Sequence, residues 1–290
     1  MIAGVSDARR GRVLRALDYQ FTVAVDGPTD LVGRVASLFD ALPTGNGPVR
    51  SWLVQRATDA DGWELVVDGV REVVASSADS LVGQLVLTLN RCALDAWSGV
   101  VCHAGGVSAG GRGIVLPADS ESGKTTLTAG LVRRGFDYLS DEGVAFHPGE
   151  NLIEPYPKPL SLDEGSWFLF PELEPGASLA GASSTEHQWQ VAPDAIRPNA
   201  VGSPCPARLI VFPKYEADGA TELVPLPRAE ALVELAKNTF SFNSRARFAL
   251  DELGHIVRDV ACYRLRIGDL EDAVGRIERL VDQLPEPIRG

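Results

Sequence analysis

The segment from Leu116 to Leu127, LPADSESGKTTL, constrains the fold of this chain more than any other stretch. It follows a short apolar run at 113–117 that is typical of a strand. A strand that turns tightly into Gly-Lys-Thr at the start of a helix is the setting of a phosphate-binding loop, because backbone N–H groups and the helix N-terminus then face the phosphate oxygens. The helix is predicted to reach Arg134 and to end at Gly135.

The first half of this segment departs from the pattern G-x-x-x-x-G-K-[ST]. Ala118 replaces the leading glycine, and Asp119 and Glu121 add negative charge. Where a loop needs positive φ or close backbone approach, alanine costs about 1 kcal/mol or more. The two carboxylates can point outward while the amides point inward. These departures therefore predict a weakened phosphate site rather than a lost one.

The residues of the second half have separate predicted tasks. Lys124 is expected to reach the terminal phosphates of a nucleotide, and Thr125 to offer its hydroxyl to Mg²⁺. The other residues expected to surround the phosphates are Ser120, Glu121, Ser122, Gly123 and Thr126.

Acidic residues follow the next predicted strand, at 136–140. In a βαβ layout the end of this strand lies beside the phosphate loop, which would bring Asp141 and Glu142 close to Lys124. One carboxylate can hold Mg²⁺, and another can accept the proton of an attacking hydroxyl. A solvated acidic turn is the alternative for this pair. His103 ends an earlier strand, before a glycine turn, and a packed structural histidine is its alternative.

These residues, taken in their order along the chain, resemble the motifs of a known family. The run from His103 to Leu116, then Ser122-Gly-Lys-Thr, then the run from Leu131 to Glu142, is similar to the catalytic core of HPr kinase/phosphorylase. The same nucleotide-binding core occurs in phosphoenolpyruvate carboxykinase. The stretch 158–162 and the C-terminal stretch 262–270 look like divergent HPr kinase-related proteins of biosynthetic gene clusters, including lasso peptide kinases.

This resemblance implies a role for each matching residue. Asp141 would be the base that takes the proton of a serine hydroxyl. His103 would either assist Asp141 or bind near the transferred phosphate. Lys214, from a later strand, would add a basic residue over the phosphates. Glu142 and Glu154 would join Thr125 and Asp141 as metal ligands. The cofactors implied are ATP and Mg²⁺, and because the related enzymes assemble through their cores, a homo-oligomer is also implied.

Two further departures concern activity. Glu142 replaces the second aspartate of the family, and the glycine-rich stretch that bifunctional members carry after the acidic pair is absent. The phosphorylase activity is therefore not expected, nor is HPr as the substrate.

A change in the pattern of predicted strands, turns and helices suggests that the chain has two regions. Residues 1–97 are predicted to form a small N-terminal α+β accessory region, and residues 98–290 a catalytic domain with a mixed sheet, so that the fold class is α/β (α+β overall). Residues 171–206 are rich in Pro, Gly, Ala and Ser. They are predicted to be a long irregular loop, which could serve as a substrate lid.

Charge and composition exclude some classes of partner. The net charge of −12 over 290 residues argues against nucleic acid or an anionic membrane surface as the main partner. No run of about 18 apolar residues and no signal peptide is visible, so a cytoplasmic protein is expected. The four cysteines are scattered, with no C-x-x-C pair, which indicates neither a zinc site nor a disulfide framework.

The favoured hypothesis is an ATP- and Mg²⁺-dependent kinase that phosphorylates the hydroxyl of a serine or threonine in a peptide or protein, such as one encoded near this gene. A small-molecule kinase acting on a hydroxyl metabolite is one alternative. A catalytically weak or inactive module that binds nucleotide or peptide is another, favoured by Ala118, Asp119 and Glu121. A carboxykinase-like decarboxylating enzyme fits less well, because the chain looks short and lacks an arginine cluster for a substrate carboxylate.

Overall fold

A computed structural model describes residues 12–119, 122–175, 182–184, 187–240 and 242–284. The fold is mixed α/β, which confirms the predicted class. Its residues divide into two units, one comprising Met1–Ala96 and Lys158–Ala195 and the other Trp97–Pro157 and Ile196–Gly290. None of the helices within the described ranges has the length and apolar character needed to cross a bilayer.

The elements are named here in chain order. They are β1 (Leu14–Ala16), β2 (Tyr19–Val25), α1 (Thr29–Leu38), β3 (Arg50–Arg56), β4 (Trp63–Val67), β5 (Val70–Ala75), α2 (Ala78–Ala96), β6 (Val100–Ala109), β7 (Arg112–Pro117), α3 (Lys124–Arg134), β8 (Asp137–Ser140), β9 (Gly143–Phe146), β10 (Leu152–Glu154), β11 (Leu160–Asp163), β12 (Ala182–Ser184), β13 (Gln188–Val191), α4 (Pro193–Ile196), β14 (Cys205–Tyr215), β15 (Glu222–Pro225), α5 (Arg228–Lys237), α6 (Ala246–Arg258), β16 (Ala261–Ile267) and α7 (Leu270–Asp282). Short 3₁₀ turns occur at Glu164–Leu169, Pro171–Leu173 and Phe242–Ser244.

The first unit contains a five-stranded sheet in the order β1-β2-β3-β4-β5. Its pairings are antiparallel except for β2 and β3, which are parallel because α1 forms the crossover between them. The rings of Phe21 and Trp52 lie 4.8 Å apart in the buried layer of this sheet. Leu31 and Val35 on α1 are also buried, at the spacing expected of an amphipathic helix.

A three-stranded sheet in the order β11-β13-β12 also belongs to the first unit. This corrects two expectations for the stretch 171–206, parts of which lie outside the described residues. It is not wholly irregular, because Gln188–Val191 pairs with Leu160–Asp163. In addition, 158–195 groups with the N-terminal region rather than with the predicted catalytic domain. Composition does not indicate this strand, which pairs with β12 nearby in the sequence and with β11 more than twenty residues away.

The second unit is built on a mixed sheet. The hairpin of β6 and β7 turns through Gly110 and Gly111, whose φ angles of 56° and 73° fit the left-handed turn that a two-residue hairpin needs. Strand β7 pairs in parallel with β14, which in turn pairs in parallel with β16. The other edge of β6 pairs antiparallel with β8 and β9. Helices α5 and α6 cover one apolar layer, which includes Ile210, Leu235 and Leu253.

Helix α3 begins and ends at glycines, as the sequence predicts. Gly123 precedes it with φ 83°, and Gly135 follows it with φ 118°, so both adopt the left-handed region. The N–H of Phe136 then bonds the carbonyl of Leu131, which closes the helix. These two glycines fix where the strand–loop–helix unit starts and stops.

Gly105 on β6 is the point of closest approach between the sheet and α3. A Cβ at this position would lie 2.3 Å from Oγ1 of Thr128 and 3.4 Å from Cγ of Lys124. We expect Gly105→Ala to destabilise the protein by roughly 1–3 kcal/mol, because the first turns of α3 must move away. Thermal unfolding measures this, and adding Thr128→Ala should recover part of the loss.

Gly254→Ala is the matched control for this prediction. Gly254 lies in α6 of the same unit, and a Cβ there would meet no atom within 4 Å. We expect this change to be neutral or to stabilise by up to about 1 kcal/mol, because alanine is the better helix former. Equal melting temperatures for the two alanine variants would contradict the close-approach argument.

Candidate functional site

The structure brings Lys124 and His103 together with the Asp141–Glu142 pair in the second unit's sheet, but by a different strand arrangement from the one expected. In the sequence interpretation β7 and β8 were neighbours, whereas in the structure β6 lies between them. Because β6 runs antiparallel to both, β7 and β8 still point the same way. Ala104 of β6 pairs with Pro117, and Gly106 pairs with Ser140. The phosphate loop and the acidic pair therefore flank the middle of β6.

Lys124 and His103 are in direct contact at this edge. Lys124 is the first residue of α3 and is only 6% exposed. Its Nζ lies 2.5 Å from Nε2 of His103. An ammonium group has only hydrogens to offer, so Nε2 accepts this hydrogen bond and the proton of a neutral ring resides on Nδ1. Burial and the charge of Lys124 both lower the pKa of His103, which keeps the ring neutral at neutral pH.

The shifted pKa of His103 should appear in the pH dependence of stability. Its folded-state pKa is below the ordinary value of 6.5, so the unfolded chain binds more protons and stability falls as the pH drops through this range. We expect the melting temperature to fall more between about pH 7 and about pH 5 in the natural protein than in His103→Gln. Parallel melting curves for the two proteins across this range would show that His103 titrates normally.

Two carboxylates near His103, those of Asp141 and Glu142, differ in environment. Asp141 is 1% exposed, and its Oδ1 accepts a hydrogen bond of 2.9 Å from the hydroxyl of Tyr138. Burial and the carboxylate of Asp141 raise the pKa of Tyr138 well above its usual range, so this hydroxyl stays a donor. Glu142 is more open, with Oε1 3.5 Å from Nε2 of His103. The turn is fixed by Oγ of Ser140, which accepts from the N–H groups of the next residues, 142 and 143.

The described part of the phosphate loop is tied to its surroundings by the backbone. Oγ of Ser122 donates to the carbonyl of Asp119 at 2.7 Å, and the carbonyl of Ser122 accepts from the N–H of Tyr215 at 3.0 Å. Ala118 is buried and does not have a positive φ. Alanine therefore costs nothing through backbone conformation here, because the chain leaves β7 in a conformation that any L-residue adopts. A cost from close approach of this residue to a phosphate stays a prediction.

The structure describes only some of the other residues predicted to surround the phosphates. Thr125 and Thr126 lie in the first turn of α3 and are partly buried. Ser120 and Glu121 lie outside the described residues.

The structure does not gather all of the predicted ligands. Lys214 lies near the end of β14, but its side chain is 73% exposed and its Nζ pairs with Oε1 of Glu216 at 3.1 Å. Oε2 of Glu154 lies 3.1 Å from Nε2 of His147, whose ring packs edge-on against Trp97. In the part of the chain that the structure describes, no group of three or more His, Cys, Asp or Glu could hold a metal ion. A role for Glu154 as a metal ligand therefore stays a prediction.

A segment that the sequence interpretation missed also borders the site. Directly after α5, the carbonyl of Asn238 accepts a 2.6 Å hydrogen bond from the N–H of His103. Thr239 forms a bridge with Cys102, and the ring of Phe240 lies edge-on to the ring of His103, with centroids 5.5 Å apart. No local sequence pattern predicts these contacts, because they join residues more than 130 positions apart.

Comparison with known proteins finds only a distant relationship. The chain is similar to the Hpr(Ser) kinase/phosphatase from Coxiella burnetii, with 13% identity, a TM-score of 0.32, and coverage of 63% of this chain and 99% of that chain. No family model matches the sequence. No curated protein matches it either. This similarity is too weak to assign a family, so the site itself carries the functional argument.

Proposed function

We propose that this protein is an ATP- and Mg²⁺-dependent phosphotransferase that moves the γ-phosphoryl group to a hydroxyl, most often that of a serine or threonine in a peptide or protein. One observation supports this above all others. A buried lysine opens α3 directly after a left-handed glycine, and its Nζ contacts Nε2 of His103, the same ring nitrogen that Oε1 of Glu142 approaches. Few other chemistries need a buried cation, a helix N-terminus and a carboxylate at one sheet edge.

The start of α3 fits a phosphate group. The N–H groups of its first residues have no acceptor within the helix, so they and the helix dipole favour an anion. The ammonium of Lys124 is shielded from water, which strengthens its attraction for phosphate oxygens. His103 holds this ammonium in place through Nε2. In the proposed function Lys124 then binds the terminal phosphates, and Ser122, Gly123 and Thr126 bind through the loop and first turn.

The oxygen donors at the site fit one Mg²⁺ bound mainly through phosphate and water. Magnesium in nucleotide sites usually takes only one or two protein carboxylates. In the proposed function Thr125, Glu142 and Asp141 supply these oxygens. The ion would neutralise charge that develops on the phosphate oxygens.

Asp141 is the proposed base. Its carboxylate is held away from solvent by the hydroxyl of Tyr138, which fixes one oxygen and leaves the group oriented before substrate arrives. The acceptor oxygen forms a bond to phosphorus while the bond to the nucleoside diphosphate breaks, and the hydroxyl proton passes to Asp141. His103 is proposed to assist by positioning Lys124.

Other expectations from the sequence stay predictions. These are a contribution of Lys214 to phosphate binding, assembly into a homo-oligomer, a cytoplasmic location, and a lid formed by the stretch 171–206.

Binding and turnover can be tested separately. Calorimetric titration with Mg-ATP should give saturable heat that is lost in Lys124→Met. An ATP-consumption assay should then show turnover with serine- or threonine-containing peptides encoded next to the gene. If no heat appears at millimolar Mg-ATP, the proposal is wrong. If nucleotide binds but no hydroxyl acceptor, peptide or metabolite, is ever phosphorylated, a binding module without catalysis is the better description.

A further inference from the structure

A groove between α5 and α6 lies next to the candidate site. Its volume is about 680 Å³, within the range of sites that hold a ligand. Most of its lining is apolar and includes Val233 and Leu250 on the two helices and Phe242 in the turn between them. Phe242 also packs against the core of the second unit, so the base of the groove is part of the fixed structure.

Thr239 connects this groove to the site. It lines the groove and also forms the backbone bridge with Cys102, the residue directly before His103. Oγ1 of Thr239 lies 3.7 Å from Sγ of Cys102. The next residue, Phe240, contacts the ring of His103. Two consecutive residues, Thr239 and Phe240, therefore connect the groove to the proposed transfer site.

The chemistry of the lining is unusual for a solvent-facing surface. Val233 is 55% exposed and Leu250 is 44% exposed, and both belong to the same concavity. Clustered exposed apolar side chains mark binding sites more often than scattered ones do. Lys237 is the only charged residue among those lining the groove, and its Nζ lies 3.3 Å from Oε1 of Glu234.

We propose that this groove binds the residues next to the phosphorylated hydroxyl of a peptide acceptor, with a leucine- or phenylalanine-sized side chain against Val233 and Leu250. This inference rests on the proposed function. A small polar metabolite would gain nothing from apolar walls, whereas an apolar side chain gains by leaving water. Lys237 is the charged group of this lining, and an acidic residue beside the apolar one would pair with its ammonium in competition with Glu234.

Labelled synthetic peptides provide the probe. Each contains one serine, flanked on one side by leucine with a neighbouring aspartate, or by alanine with the same aspartate. Binding without nucleotide is measured by fluorescence polarisation with the serine replaced by alanine, and transfer is measured with Mg-ATP and the serine present. We expect the leucine peptide to have a kcat/KM at least about tenfold above that of the alanine peptide, the value of one buried apolar side chain.

Surface variants locate the effect. Leu250→Gln and Val233→Gln should each remove most of the leucine preference in binding and in transfer. Leu87→Gln is the matched control, because Leu87 is also an exposed helical leucine, at 61%, but belongs to α2 in the other unit. It should keep the full preference.

The outcomes separate this inference from the function on which it rests. Selective binding of the leucine peptide that Leu250→Gln abolishes, without transfer to any peptide, supports the groove and contradicts the kinase. Equal binding and equal transfer for both peptides contradict the groove and leave the kinase standing. A preference that Leu87→Gln abolishes as strongly as Leu250→Gln, or an absence of peptide binding by the natural protein, also overturns the inference.

Discussion

Lys124→Met is expected to reduce kcat/KM for phosphoryl transfer by a factor of roughly 10² to 10³ or more, the usual effect of removing one charged group that stabilises the transition state. The fold should survive, because methionine keeps the apolar stem that lies near Gly105 and loses only the buried ammonium. Steady-state kinetics with Mg-ATP measure the loss. Arg133→Met is the control on the same helix, since Arg133 pairs at the surface with Glu271 and should be dispensable for transfer.

The same variant makes an independent prediction about His103. Lys124 is one of the two main causes that lower the pKa of this histidine, the other being burial. Without the ammonium, the pKa of His103 should rise toward 6.5, and the carboxylates of Glu142, Asp119 and Asp141 favour the same direction. Titration of the histidine ring by NMR measures this without any substrate. An unchanged pKa would mean that the contact between Lys124 and His103 does not persist in solution.

Asp141→Asn is expected to lower kcat by roughly 10² to 10⁴, because a general base contributes to the chemical step and not to the binding of nucleotide. Mg-ATP binding should change little, because Thr125 and Glu142 remain as proposed oxygen donors for Mg²⁺ and most of the ion's ligands come from phosphate and water. Asparagine keeps an oxygen that can accept from Tyr138, so the buried turn should keep its shape. Single-turnover kinetics and calorimetry on the same preparation separate the two effects.

Asp137→Asn controls for this change. Asp137 is the first residue of β8, the strand directly before Asp141, but it lies toward the surface in an ion pair with Arg197. Its replacement should leave kcat unchanged. Near-normal transfer by Asp141→Asn would show that another group takes the proton, and Glu142 would be the next residue to test. A loss of nucleotide binding in Asp141→Asn would instead indicate that this carboxylate acts mainly through the metal.

In the proposed function, the groove between α5 and α6 and the pair of Lys124 and Asp141 would provide two different kinds of specificity. The pair of Lys124 and Asp141 would determine the reaction, whereas the apolar wall between α5 and α6 would determine which hydroxyl is presented. Loop and turn residues such as Phe240 and Phe242 connect the two. Substitutions along this connecting segment should therefore change acceptor preference more than nucleotide affinity.

Local patterns were sufficient where neighbours in sequence determine the structure. The strand β7, the left-handed Gly123, the helix α3 and its end at Gly135 lie where the sequence predicts them, because glycine conformation and helical periodicity act over a few residues. The glycine turn between β6 and β7 is of the same kind. Long-range pairings were missed. The strand at Gln188–Val191 sits in a stretch with the composition of a loop and is stabilised by a partner elsewhere in the chain.

The sequence by itself thus determined the strand, the glycine-bounded turn and the helix around Lys124, since these follow from local backbone chemistry. Only the tertiary structure decided how they meet. The insertion of β6 between β7 and β8, the hydrogen bond from Lys124 to His103, and the return of Asn238 and Phe240 to β6 all depend on strand pairing between distant segments. Such pairing is fixed by burial of the whole sheet and not by any one segment, because each strand is stable only against its neighbours.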